Sequence, residues 1–308
     1  MYQYDSNALT QSKKILNSEH MGEFAHVGEW NIHYYELGED EDDIPLLLIH
    51  GWMQSLYTWR KVIPALAKNR RVIAIDLPGA GYSSRAAAAD YSIDNMAELI
   101  VRFMDTLAIK ACDIVGFSFG AMYVLRAAEL HPRRFGRLVL ETPGGLTPEM
   151  PFFVRALSRP MFAWLYKMLI SPRTIHSVLD ECFFDQTEID DELIEQTYLP
   201  LRERDARDAL SSTLQQFDET EAMKNLRNVK HETLLLWGID DRWHDPAMGD
   251  QFNVSLHHSH LVKIRNCGHT IHEEKVDRFL EAVEHFLDNG LYSDDEESEA
   301  PDSSYFFG

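Results

Sequence analysis

The chain has 308 residues, of which 45% are hydrophobic and 26% are charged, and this composition supports one large globular domain or a domain with an insertion. It holds no run of the ~20 apolar residues that a membrane span requires, and residues 1–20 lack the apolar core of a signal peptide. The formal net charge of −21 makes nucleic acids and anionic membranes poor partners. We therefore expect a cytoplasmic protein without nucleic-acid or membrane partners, and composition leaves its oligomeric state open.

Cysteine spacing and the acidic end of the chain add two expectations. The three cysteines (Cys112, Cys182 and Cys267) are far apart in sequence, which gives neither a disulfide framework nor a paired metal-ligand spacing. We expect reduced thiols, no metal and no cofactor. Much of the negative charge lies in residues 293–302, and residues 291–308 are predicted to form a disordered acidic tail.

The first half of the chain alternates between strand and helix patterns. Residues 1–22 are predicted to be a polar extension, and alternating segments at residues 24–27 and 31–35 predict a β-hairpin. Short apolar runs then predict strands buried on both faces, and apolar residues at helical spacing predict helices. In chain order these are strand 46–49, helix 59–68, strand 71–75, helix 92–107, the strand that includes residues 114–115, helix 122–130 and strand 137–140. This rhythm implies βαβ units and a mostly parallel sheet with helices on both sides.

The alternation stops after Gly145. Residues 146–225 contain helical patterns and no convincing strand, which predicts an all-helical insertion. Strand patterns return at residues 233–237 and 260–264, and an amphipathic helix at 276–287 closes the fold. The predicted organisation is an N-terminal extension (1–22), a core (23–145 and 226–290), a helical cap (146–225) and an acidic tail (291–308).

The stretch Gly116-Phe117-Ser118-Phe119-Gly120 lies between a strand pattern and a helix pattern. In such a nucleophile elbow, a serine occupies a strained turn that holds its hydroxyl above the sheet. The flanking glycines are then required, because a Cβ at either position would collide where strand and helix approach closely. G-x-S-x-G alone also fits an ordinary glycine turn, so the interpretation as a nucleophile elbow depends on the other motifs in the sequence.

Polar residues follow several of the predicted strands, where the reactive groups of open α/β sheets collect. The signatures, in chain order, are His50-Gly51-Trp52, Asp76-Leu-Pro-Gly-Ala-Gly81, the elbow, Trp237-Gly-Ile-Asp-Asp241 and Cys267-Gly-His269. Together they resemble the α/β-hydrolase fold family, closest to its capped esterase, epoxide-hydrolase and haloalkane-dehalogenase branch. The resemblance covers roughly residues 23–290 and implies an eight-stranded, doubly wound, mostly parallel sheet with a helical cap.

The resemblance also implies a triad in the order Ser118, Asp241, His269. His269 would take the proton of the Ser118 hydroxyl, and a carboxylate would orient and stabilise the imidazolium. The family places that acid at the fourth position of Gly-x-x-Asp, which is Asp241 and makes Asp240 a loop residue. Glu141 is the second candidate for the acid, because some dehalogenase-like relatives place it after the preceding strand.

Two further sets of residues complete the predicted site. Backbone N–H groups of Trp52 and Phe119 would form the oxyanion hole. If the insertion covers the sheet, some of its aromatic residues line an apolar acyl pocket. The pocket candidates are Phe117, Phe152, Phe153, Phe162 and Trp164.

These residues favour a serine hydrolase that cleaves carboxylic esters of small to medium acyl groups through an acyl-enzyme. Serine at residue 118, instead of aspartate, argues against epoxide-hydrolase and dehalogenase chemistry. Carbon–carbon bond hydrolase, lactonase, thioesterase, aminopeptidase and perhydrolase activities remain open. A non-enzymatic ligand-binding protein on the same scaffold is the alternative of a different class.

Overall fold

The computed structural model describes residues 22–39, 44–86, 88–144, 152–157 and 159–291. The predicted N-terminal extension and acidic tail lie outside the described residues, apart from Gly22 and Leu291. Residues 146–151, at the start of the predicted insertion, and residue 145 before them also lie outside the described residues. What is said below of absences and counts refers to the described residues.

An eight-stranded sheet forms the centre of the molecule, in the order β1-β2-β4-β3-β5-β6-β7-β8. The β1–β2 and β2–β4 pairs are antiparallel, and the pairs from β4 through β3, β5, β6 and β7 to β8 are parallel. The strands are β1 (Glu23–Val27), β2 (Trp30–Leu37), β3 (Leu46–Ile49), β4 (Val72–Ile75), β5 (Cys112–Phe117), β6 (Phe135–Glu141), β7 (Thr233–Gly238) and β8 (Ser259–Ile264). The predicted hairpin and the predicted eight-stranded, mostly parallel sheet are confirmed.

Helices flank the sheet. They are α1 (Ile63–Leu66), α2 (Ile93–Thr106), α3 (Phe119–Leu130), α4 (Phe152–Leu157), α5 (Pro160–Met168), α6 (Pro172–Cys182), α7 (Asp191–Tyr198), α8 (Arg204–Gln216), α9 (Thr220–Lys224), α10 (Ala247–Ser255), α11 (Ile271–Glu274) and α12 (Val276–Asn289). Short 3₁₀ helices lie at Leu56–Lys61, Gln186–Glu188, Leu199–Arg202 and Leu226–Asn228. As expected, Ser92 caps α2, where its side chain accepts a hydrogen bond from the backbone N–H of Asn95.

Prolines lie at three interruptions of the helical structure. The helix expected at 59–68 is instead a 3₁₀ helix followed by α1, and Pro64 lies in the first turn of α1, where its missing N–H costs nothing. Pro160 begins α5 and separates it from α4. Pro200 lies in the 3₁₀ turn between α7 and α8. A periodic pattern locates the buried face, but it does not show where a proline interrupts the hydrogen bonding.

The described residues between β6 and β7 form helices and no strand. We call residues 152–157 and 159–228 the helical segment. Strands β3, β4 and β7 are buried along their whole length, as expected for strands covered on both faces. No described helix is both long and apolar enough to cross a membrane.

Parallel strands direct their carboxyl ends to one edge of the sheet. β3 leads into His50, β5 into Ser118, β7 into the turn before Asp241, and β8 into the loop before His269. The topology therefore brings residues that are as much as 219 positions apart, from His50 to His269, to a single edge.

Candidate active site

Ser118 lies in the sharp turn between β5 and α3. Its backbone φ of 53° and ψ of −119° fall in a region that residues with a side chain rarely adopt, which is typical of strain stored at a functional site. A Cβ on Gly116 would lie 2.6 Å from Cα of Ala121, and one on Gly120 would lie 2.6 Å from the backbone oxygen of Ile49. The two glycines are therefore a steric requirement of this turn, as the sequence predicts.

The structure brings Ser118, His269 and Asp241 into one hydrogen-bonded chain. Nε2 of His269 lies 3.2 Å from Oγ of Ser118, and Nδ1 of His269 lies 2.8 Å from Oδ2 of Asp241. All three side chains are buried. Because Nδ1 faces the carboxylate, the neutral ring carries its proton there and presents a basic Nε2 to the serine hydroxyl.

The Asp241 carboxylate is held from both sides. Its second oxygen, Oδ1, accepts hydrogen bonds from the backbone N–H groups of Trp243 and His244, at 2.7 and 3.0 Å. Burial alone would raise the pKa of Asp241, but the charge and hydrogen bond of His269 and the proximity of His244 outweigh it and hold that pKa below its ordinary value. The carboxylate therefore stays ionised, as an acid that stabilises an imidazolium must.

The other two candidates for the acid lie elsewhere. Asp240 is in the turn after β7, where its backbone N–H donates to the oxygen of Cys267. Glu141 is fully buried, and both of its oxygens lie within 2.9 Å of Nδ1 of His272. His272 in turn lies 2.6 Å, through Nε2, from Oγ1 of Thr58. The geometry thus pairs Glu141 with a second histidine and leaves His269 to Asp241.

The residues predicted to form the oxyanion hole flank Ser118. Phe119 is the first residue of α3, so its N–H has no acceptor within the helix. Trp52 lies in the turn after β3, which His50 fixes by accepting a hydrogen bond from the N–H of Leu77 at 3.0 Å. The Trp52 indole donates to the backbone oxygen of Leu210 in α8, at 3.1 Å. The predicted hole is thus tied to both the sheet and the helical segment.

Two cavities lie beside this group. The smaller, of about 450 Å³, is lined by Ser118, His269, Phe117 and Cys182, among others. The larger, of about 890 Å³ including the space where it opens to solvent, extends between the loops at the sheet edge and the helical segment. The two share six wall residues: Trp52, Met53, Gln54, Phe119, Leu179 and Thr197.

The cavity walls change the list of pocket candidates. Phe117 lines the smaller cavity, with its ring centroid 4.9 Å from that of His269. Trp164 is a correction: its side chain is 63% exposed and lines neither cavity. Phe152, Phe153 and Phe162 lie in α4 and α5, and their side chains are outside the described part of the structure. Aliphatic residues that the sequence did not single out, Leu179 and Leu210, form cavity walls instead.

His244 is a buried neighbour that the sequence analysis did not single out. Its ring packs edge-to-face against that of His269, with centroids 4.9 Å apart, and its Nδ1 lies 3.2 Å from the backbone oxygen of Thr142. Asp241, His244 and His269 offer ligand atoms within 4.8 Å of one another, the one such group among the described residues that could hold a metal ion. The Asp241 oxygens and Nδ1 of His269 are already engaged in the hydrogen bonds given above, so proton-based chemistry accounts for their arrangement. The spacing Asp-x-x-His in this loop is the signal that could have drawn attention to His244.

Comparison with known proteins places these features in context. The family model for the alpha/beta hydrolase fold matches residues 44–172. The chain is 31% identical over 263 residues to 2-hydroxymuconate semialdehyde hydrolase of Pseudomonas sp. (strain CF600), covering 79% of this chain and 86% of that one. It is 29% identical over 268 residues to 2-hydroxy-6-oxo-2,4-heptadienoate hydrolase of Pseudomonas putida, covering 84% and 92%.

A solved structure shows the same fold. The carboxylesterase CesB from Bacillus subtilis superposes with a TM-score of 0.78 at 20% identity, covering 92% of this chain and 97% of that one. At this level of identity the likeness concerns the fold alone.

Proposed function

Because the chain belongs to the alpha/beta hydrolase fold family, we propose that it is a serine hydrolase that cleaves uncharged carboxylic esters of small to medium acyl groups. The observation that carries this proposal is the buried hydrogen-bonded chain from Ser118 through His269 to Asp241, with a cavity beside the serine hydroxyl. A serine hydroxyl is a poor nucleophile unless a positioned base takes its proton, and His269 is that base.

The reaction follows from this arrangement. Nε2 of His269 accepts the Ser118 proton as Oγ attacks the ester carbonyl carbon. The carbonyl oxygen becomes negative and is stabilised by the N–H groups of Trp52 and Phe119. His269 then gives its proton to the departing alcohol, and the acyl group remains bound to Oγ of Ser118. In the second step the same imidazole activates a water molecule, which hydrolyses the acyl-enzyme and releases the carboxylic acid.

The helical segment is proposed to act as the cap over this site. Leu179 of α6 and Thr197 of α7 line both cavities, and Leu210 of α8 lines the larger one. The cap would therefore shape the substrate and exclude water, while the groups that carry out the chemistry belong to the loops at the sheet edge.

Carbon–carbon bond hydrolysis is the second candidate, and the names of the two relatives favour it. Those names describe carboxylates, so such a substrate brings a negative charge into the site. Among the described residues that line the two cavities there is no lysine or arginine, and the one acidic side chain there is Glu273. Burying an unpaired carboxylate against such walls is costly, and this supports a neutral ester.

The test uses the purified protein with a fluorophosphonate probe, p-nitrophenyl acetate and 2-hydroxy-6-oxo-2,4-heptadienoate. We expect the probe to label Ser118, identified by peptide mapping, and the ester to be turned over far faster than the dienoate. Faster cleavage of the dienoate would replace the esterase proposal by the carbon–carbon hydrolase. Absence of both labelling and turnover would favour a non-enzymatic binding protein.

A further inference from the structure

The larger cavity is lined mostly by apolar residues, and its polar wall residues include Thr58 and Glu273 at one end and Gln54 and Thr197 where it adjoins the smaller cavity. Leucine, proline, methionine and aromatic residues dominate the lining, whereas Thr58 and Glu273 lie where the 3₁₀ helix Leu56–Lys61 packs against α11. Neither residue takes part in the proposed acyl transfer. Their position bears on which ester the site accepts.

Glu273 is one of the wall residues of this cavity, and its carboxylate has an unusual environment. Its residue is 2% exposed. Oε1 accepts a hydrogen bond from Arg60, whereas Oε2 has no hydrogen-bond donor in the described structure, although Nζ of Lys61 lies 3.4 Å away as an ion pair. Burial alone would raise the pKa of Glu273, but Arg60 and Lys61 outweigh it and hold that pKa below its ordinary value. Oε2 of Glu273 is therefore a charged hydrogen-bond acceptor.

Thr58 adds a second acceptor. Nδ1 of His272 faces both oxygens of Glu141, so the neutral ring carries its proton there and accepts through Nε2. The Thr58 hydroxyl, 2.6 Å away, must then donate its proton to His272. Its oxygen keeps its lone pairs for a ligand in the cavity.

We propose that this end of the larger cavity binds a hydroxyl group of the substrate, so that the preferred ester carries a hydroxyl at the end remote from the scissile carbonyl. The inference rests on the serine-hydrolase function proposed above. Buried acceptors without donors are costly, and a substrate hydroxyl supplies the missing donor. The charge of Glu273 is already matched by Arg60 and Lys61, so an ammonium group gains no net attraction, and a carboxylate would bring a further acceptor to a place that lacks a donor.

The experiment measures kcat/KM for pairs of esters that differ at one end alone. One series consists of p-nitrophenyl esters of ω-hydroxyalkanoic acids, each with the matching ester that ends in methyl, across short to medium chains. A second series places the hydroxyl on the alcohol side, as acetates of ω-hydroxyalkanols. At the chain length that spans the two cavities, we expect the hydroxyl ester to be favoured by roughly tenfold to 100-fold, since a site built to bind a hydroxyl discriminates strongly against its absence.

Variants then assign the preference to this end of the cavity. Glu273→Gln and Thr58→Val should each reduce the ratio of hydroxyl to methyl ester several-fold. Glu188→Gln is the matched control, because Glu188 also pairs with Lys61, at 3.6 Å, but does not line the cavity. The ratio of hydroxyl to methyl ester in this variant should equal that of the wild type. Circular dichroism establishes that each variant is folded, and the wild-type ratio tests the proposal even if Glu273→Gln is not.

A ratio near one at every chain length in both series would overturn the proposal. So would a carboxylate-ended or ammonium-ended ester that outperforms the hydroxyl ester. If these results occur while the probe still labels Ser118 and p-nitrophenyl acetate is still hydrolysed, the serine-hydrolase function stands and this inference alone fails.

Discussion

The Glu141 carboxylate binds Nδ1 of His272 with both of its oxygens. The same carboxylate accepts a hydrogen bond from the backbone N–H of Ile271 at 2.6 Å. It therefore fixes the first turn of α11, directly after His269, without contacting His269 itself in the described hydrogen bonds. Two histidine–carboxylate pairs stand side by side at this sheet edge, and the ring of Phe117 lies about equally far from both imidazoles, at 4.9 and 5.0 Å.

This arrangement predicts different consequences for the carboxylates. Asp241→Asn should lower kcat by roughly 10³- to 10⁴-fold, because the amide neither holds the required tautomer nor stabilises the imidazolium. Asp240→Asn should change kcat little.

Glu141→Gln should act mainly on stability. The free energy of unfolding should fall by about 1–3 kcal/mol, because the variant loses hydrogen bonds to a buried carboxylate. The measurements are kcat on p-nitrophenyl acetate and urea unfolding, and a folded Glu141→Gln variant that is as inactive as Asp241→Asn would contradict the assignment.

The strained turn at Ser118 predicts a separation of activity from stability. Ser118→Ala and Ser118→Gly should both abolish ester hydrolysis, because neither has a nucleophile. Ser118→Gly should also raise the free energy of unfolding, by about 1 kcal/mol, since glycine adopts the backbone conformation at residue 118 without strain.

Ser118→Ala retains the Cβ and so keeps the strain, which makes it the matched control for stability. Thermal unfolding of both variants and the wild type provides the comparison. Equal stability of Ser118→Gly and Ser118→Ala would mean that the turn stores no significant strain.

Much of this site was predictable from sequence because the reactive residues follow strands whose patterns are clear. Short apolar runs predict buried parallel strands, and a parallel sheet brings their carboxyl ends together. The resemblance to the α/β-hydrolase family then implied Ser118, Asp241 and His269 among the polar residues at those ends. The walls of the cavities were not predictable in this way. An amphipathic helix shows the same pattern whether its apolar face covers a core or a cleft, and for this reason Trp164 was a candidate while Leu179 was not.

The revised walls predict where substrate length is selected. Leu179 is buried and lines both cavities, so Leu179→Ala should enlarge the passage and shift the preference toward longer acyl chains. One methylene in an apolar pocket is worth roughly 1–3 kcal/mol, which corresponds to about tenfold or more in relative kcat/KM for each carbon newly accommodated. Trp164→Ala is the control, because this exposed side chain contacts neither cavity, and its chain-length profile should match that of the wild type.

The profile is measured with a series of p-nitrophenyl esters of increasing acyl length. If Leu179→Ala lowered kcat/KM uniformly, α6 would contribute to stability and not to selection. A shifted profile in Trp164→Ala would restore the aromatic residue of α5 as part of the pocket.

The buried ion pair of Glu273 with Arg60 predicts a pH dependence of stability. The folded-state pKa of Glu273 lies below its ordinary value of 4.5, so the ionised form is favoured by folding. Its contribution is fully present above the unfolded-state pKa and is lost as the pH falls through the folded-state pKa. Glu273→Gln leaves Arg60 buried without its carboxylate and should cost about 3–5 kcal/mol at neutral pH.

The stability difference between the wild type and Glu273→Gln should shrink as the pH is lowered below about 4.5. Protonation then removes the ionised carboxylate from the wild type, and the variant has no such carboxylate at any pH. Urea unfolding of the wild type and Glu273→Gln at a series of pH values between about 7 and about 3.5 measures the difference. In Glu188→Gln, whose glutamate is half-exposed, the difference from the wild type should stay small at every pH, because exposed ion pairs contribute little. A constant difference between wild type and Glu273→Gln across this range would show that the Glu273 carboxyl keeps its ordinary pKa in the folded protein.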